Sequence, residues 1–190
     1  MAAPRAEEYS RVTEPERYAI VHARARMWTE SLAERSGVAV TTLAPAPLDQ
    51  DGHRGRFDRG VRITSSRPDT LPLLLLERDA PLAVLHISAV RPDIALAMLP
   101  DCGCDACGSG SEDLIEAIDE AITRAVKGPL VLLRGKRWHA EGHPDGSSSG
   151  REGRGPDHRE MAEWCRRIAA GERVRLPRDA EIFVGWPWFD

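Results

Sequence analysis

The run Leu71-Pro72-Leu73-Leu74-Leu75-Leu76-Glu77-Arg78-Asp79-Ala80-Pro81-Leu82-Ala83-Val84-Leu85-His86-Ile87-Ser88 decides the fold class. Leu71 to Glu77 and Leu82 to Ser88 are short apolar runs of strand length, and Asp79-Ala80-Pro81 between them has the length of a hairpin turn. Outward from this pair, Val61 to Thr64 comes before it and Ile94 to Leu99 after it, both strand-like. Four strands with short connections predict an antiparallel sheet, because parallel neighbours need a long crossover.

Helices flank the sheet. Thr13-Glu14-Pro15-Glu16 reads as a capping box with proline in the first turn, and Tyr18, Val21, Ala25, Trp28 and Leu32 then form one apolar stripe that Gly37 closes. A second helix is predicted by Leu114, Ile118, Ala121, Ile122 and Ala125, with Ser109 and Glu112, or Ser111 alone, as its cap and Gly128-Pro129 as its stop. Asp157 caps a third, carrying Met161, Trp164, Cys165 and Ile168 to Gly171. Thr41 to Gly60 reads as loop, Leu130 to Leu133 and Arg137 to Ala140 as strand, and Ile182 to Phe189 as a last strand or docked tail. The expectation is an α+β fold, an antiparallel sheet with about three helices packed on it, in a single domain over 13–190. Residues 1–12 form an N-terminal tail, and the Gly- and Ser-rich 141–156 form a flexible loop.

Composition narrows the function. At 190 residues, 42% hydrophobic and 29% charged, the chain suits one ordinary core. A net charge of -4 gives no general pull toward nucleic acid or anionic lipid, so a nucleic-acid partner is not expected. Met1 to Glu8 lacks the apolar stretch of a secretory signal, and the longest apolar run falls far short of the ~20 residues of a membrane span. The expected place is the cytoplasm, with no membrane partner. No H-E-x-x-H pair occurs, and the residues point away from an enzyme.

The pointed chemistry is Cys102-Gly103-Cys104-Asp105-Ala106-Cys107, three of the four cysteines within six positions. A secreted disulfide framework would spread them, so clustering indicates metal or redox chemistry. A C-x-C-x-x-C loop brings three thiolates together when its backbone folds tightly, which Gly103 assists through a positive φ. Closed zinc sites take four protein ligands, so Cys102, Cys104 and Cys107 need a fourth, and Cys165 or His158 on the third helix is the candidate. His86, His139 and His143 are further options; the last two, four residues apart on a strand, lie ~13 Å from each other and cannot share one metal.

A redox reading uses Cys104 and Cys107 beside a helix N-terminus, opposed by the charge of Asp101, Asp105, Glu112 and Asp113. A third reading leaves the cysteines unligated in an interaction module whose protein partner the sequence does not identify. Elsewhere, Arg54, Arg56, Arg59 and Arg62 with Phe57 read as a solvated arginine-rich loop before a phosphate patch. Ser147 to Gly150 lacks the lysine of a P-loop, and Trp186-Pro187-Trp188-Phe189 reads as a buried closing segment before an exposed recognition tail.

Tyr9 to Tyr18, the CGCDAC hexamer with its acidic helix, and the closing Trp186-Pro187-Trp188 together resemble an actinobacterial domain-of-unknown-function family over most of the chain. In that family an acidic pair often follows the third cysteine. Here Gly108-Ser109 stand there, so the resemblance implies no carboxylate fourth ligand at that point. It implies no activity, substrate or catalytic residue. The reading from the residues is a small cytoplasmic accessory or binding protein with Zn2+ at the cysteine cluster.

Overall fold

The computed structural model describes residues 11–49, 51–107, 110–153 and 155–190. The expected cap at Ser109 and most of the expected 1–12 tail lie outside them. The chain gathers into two compact units, Met1–Ser66 with Pro72–Ile122 and Arg67–Leu71 with Thr123–Asp190. Each carries an antiparallel sheet, so the α+β class is as expected.

In the first unit β1 (Val38–Leu43), β4 (Arg59–Ser65), β5 (Leu73–Arg78), β6 (Val84–Ala89) and β7 (Ala95–Leu99) pair in the order β1-β4-β5-β6-β7. The hairpin from which the fold was read is β5 and β6, in register at Leu75 with Ile87 and Leu76 with His86. Leu73 to Leu76 are all buried because both faces of β5 are covered. On one side Leu74 and Leu76 pack with Leu48 and Phe57, the latter from a two-stranded ribbon of β2 (Ala46–Pro47) and β3 (Arg56–Phe57). On the other, Leu75 and Val61 face Ala25 of α1 (Ile20–Ala33). Side chains alternate along a strand, so a continuous leucine run is what two covered faces require.

Tyr18, Val21, Ala25 and Leu32 are buried, as the stripe predicts. The start of the helix differs. Pro15–Ala19 is a 3-10 turn without a side-chain cap, and the Thr13 hydroxyl donates instead to Asp105, 3.1 Å away. The stretch read as loop over Thr41 to Gly60 holds the end of β1, the β2–β3 ribbon and the start of β4. Most of β1 is exposed at the sheet edge, where backbone pairing to β4 makes a strand without the alternating apolar signal.

The unit boundary falls inside α2 (Ser111–Lys127), whose Leu114, Ile118, Ala121, Ile122 and Ala125 are buried as expected. In the second unit β8 (Leu130–Gly135), β9 (Trp138–His143), β10 (Gly146–Arg151) and β11 (Glu181–Gly185) pair in the order β10-β9-β8-β11. Asp157 caps α3 (His158–Ala169), accepting the Glu160 N–H at 2.8 Å. Met161 and Cys165 of α3 pack on Val131, Leu133, Trp138 and Ala140. Where composition at 141–156 predicts loop, residues through Arg151 form the β9–β10 hairpin. Trp188 is buried and Trp186 is 41% exposed, so the aromatic tail is docked at its second tryptophan. Among the described residues no helix is long and apolar enough to cross a membrane.

Candidate metal centre

The cysteine loop leaves the end of β7 at Leu99 and enters α2 at Ser111. The start of the chain pins it. The Asp105 N–H donates to the Arg11 carbonyl at 2.8 Å, and the Asp105 carboxylate accepts from the Thr13 N–H at 3.0 Å and the Thr13 hydroxyl. The Tyr18 hydroxyl donates to the Gly103 carbonyl at 3.1 Å, and the Cys107 N–H closes a turn on the Cys104 carbonyl at 3.2 Å. Gly103 does not take the expected positive φ but lets Leu82 approach closely. Its φ lies outside the left-handed region, and a Cβ there would fall 2.5 Å from Leu82 Cδ2.

This backbone gathers the three sulfurs. Cys102 Sγ lies 3.2 Å from Cys104 Sγ, which lies 3.3 Å from Cys107 Sγ, and all three fall within 4.8 Å of one another. They are free thiols, with Cys104 buried, Cys102 half-buried and Cys107 exposed. A tetrahedral zinc with Zn–S bonds of about 2.3 Å sets its thiolates about 3.8 Å apart, so a small widening of the cluster suits the ion. Among the described residues this is the group of His, Cys, Asp and Glu donors close enough to share a metal.

Neighbouring thiols shift the titration of Cys104 and Cys107. Hydrogen bonds from Cys102, and then Cys107, hold the Cys104 thiol below its ordinary pKa. Hydrogen bonds with Cys104, and then with Cys102, push the Cys107 thiol up to about 12. Of the two, Cys104 is therefore the thiol favoured as thiolate. The acidic residues expected to oppose a thiolate do not set the Cys104 shift. Asp105 is turned toward Thr13, and the Asp101 carboxylate accepts the Cys102 N–H at 2.8 Å.

Cys165 and His158 have surroundings of their own in the second unit. Cys165 is 2% exposed within the α3–sheet core, against Gly142, and burial, with Glu141 adding, pushes its thiol up to about 11. His158 Nδ1 lies 2.6 Å from the Ser149 hydroxyl. His139 and His143 both stand on β9, which runs past Ala140 into the stretch expected to be loop, and His86 is buried in β6 of the first unit. Ser147 to Gly150 is part of β10.

A second polar cluster escaped the sequence. His22 Nε2–H donates to the Val84 carbonyl at 3.0 Å, which leaves Nδ1 to accept from Arg59 Nη2 at 3.3 Å. Arg59 also binds Glu77 at 2.5 Å and Asp79 at 2.6 Å, beside a cavity of about 500 Å3 that His22, Arg26, Arg59, Asp79 and Leu82 help to line. Arg59 is thus paired, and Phe57, read with it as loop, is core. The signal was present: His22 falls four residues after Tyr18 and three before Ala25, on the buried face of the helix.

A family model described as a family of unknown function, DUF6226, matches residues 1–190. Neither a curated protein nor a solved structure matches the chain.

Proposed function

The chain belongs to that family of unknown function along its whole length, and we propose from its own residues that it is a small zinc-binding accessory protein of the cytoplasm. Cys102, Cys104 and Cys107 hold the ion, and the loop they fold ties the start of the chain to α2. The observation that carries this reading is the convergence of three sulfurs within 4.8 Å on a loop pinned by Arg11, Thr13 and Tyr18. Free thiols of this kind persist in a reducing compartment. The test is metal analysis of the full chain purified without added metal. About one zinc per chain is expected, with the thiols shielded from alkylation until chelator is added. Cys104→Ser, which removes the central sulfur, is expected to abolish binding. Metal-free protein whose three loop thiols alkylate freely overturns the reading.

One observation favours a second reading. Cys104 is shifted toward thiolate with a neighbouring sulfur on each side, at 3.2 and 3.3 Å, which is the arrangement a dithiol switch needs. Mass analysis after mild oxidation separates the two: an intrachain bond among the three cysteines supports redox use, and its absence removes it.

A further inference from the structure

We propose that zinc at this loop keeps its outward coordination position for a small external thiol. The inference rests on the zinc reading above and assigns the class of ligand that the site takes.

Donors come first. The loop supplies three thiolates, and among the described residues no further His, Cys, Asp or Glu donor joins them within reach. The carboxylates inside the loop are engaged elsewhere, Asp101 on the Cys102 N–H and Asp105 on Thr13. Direction comes second. Cys104 is buried, Cys102 half-buried and Cys107 exposed, so a ligand from solvent reaches the cluster past Cys107.

The chemistry then selects the ligand. Three thiolates more than neutralise a divalent ion, so this zinc polarises a bound water less than a zinc held by neutral imidazoles. A polarisable sulfur donor suits it better than hydroxide. In the binding step a thiol loses its proton to solvent, its sulfur forms a Zn–S bond and a water leaves the metal. Nothing is oxidised or reduced, and the centre gains one negative charge. Arg17 is the cation tied to that loop, through Tyr18. Its guanidinium lies over the Tyr18 ring, 4.7 Å from the centroid, and binds the same hydroxyl that holds Gly103, while its buried Nε–H has no hydrogen-bond partner among the described residues.

The test uses the full chain loaded with Co2+ in place of zinc and titrated with 2-mercaptoethanol. Thiolate-to-cobalt absorption is expected on loading, followed by a saturable change in the visible bands as one thiol binds per metal. Cys165→Ser and His158→Ala are expected to leave both signals unchanged. Arg17→Gln is expected to weaken the thiol several-fold while cobalt binding persists. A cobalt–thiolate spectrum that the added thiol does not move shows a fourth ligand from the protein and overturns the inference while the metal reading stands. The absence of any cobalt–thiolate absorption overturns the metal reading, and this inference with it.

Discussion

Asp119 on α2 binds two residues of α1 at once: Arg24 through both carboxylate oxygens, with Nε at 2.7 Å, and the Trp28 indole N–H at 2.6 Å. Arg24 first, and then Trp28, hold its carboxyl below the usual range. Its contribution is therefore present above the ordinary carboxylate pKa of about 3.9 and fades as pH falls through the depressed folded value. Asp119→Ala is expected to lower stability by about 1–3 kcal/mol at neutral pH in urea unfolding, with Asp119→Asn recovering part by keeping an acceptor for Trp28. His86 is shifted in the same direction, but by the loss of water around its charged form. Burial, with Arg78 and Arg54 adding, lowers its pKa to about 4. An unfolded histidine protonates near about 6.5, so between the two values the unfolded state binds more protons and stability falls as pH drops. The slope is at most about 1.4 kcal/mol per pH unit, and His86→Leu is expected to flatten it in urea midpoints measured from pH 7 to 4.5. At this scale the sequence showed which residues carry chemistry and not what they touch. Thr13 has the residue type and spacing of a helix cap, yet its hydroxyl serves Asp105, a partner 92 positions away that no local pattern encodes.

At the scale of elements, legibility followed burial. β5 and β6 were plain because each buries apolar side chains, and α2 because its apolar residues recur on one face. Gly146 to Arg151 carries no apolar residue, so composition said loop; the strand forms because its backbone has β9 to pair with and α3 packs against it. Gly142, next to the last residue of β9, shows what that packing requires. A Cβ there would stand 2.4 Å from Cys165 Cβ, a carbon fixed near the α3 backbone that no rotamer change moves aside. Gly142→Ala is expected to cost about 1–3 kcal/mol through overpacking, read as a lower urea midpoint with an unchanged slope. Cys165→Gly in the same chain is expected to recover part of that loss by vacating the contested volume.

At the scale of the whole molecule, the division into two units makes the metal reading local. The cysteine loop and its ties to Arg11, Thr13 and Tyr18 all lie in the first unit, whereas β8 to β11 and α3 form a core of their own in the second. No change of composition marks this division, since its boundaries fall within α2 and in the short Arg67–Leu71 segment. A ligand that binds one folded region stabilises what is coupled to it, and amide exchange resolves such coupling element by element. Removing zinc with a chelator is therefore expected to speed exchange in the cysteine loop, in the Pro15–Ala19 turn and in the first turns of α2. Amides of β8, β9 and β11 are expected to keep their protection, because none of their hydrogen bonds runs through the loop. Loss of protection in both units together would show that the loop holds the whole chain rather than the unit it sits in. Unchanged exchange everywhere would show that the ion adds nothing to the fold.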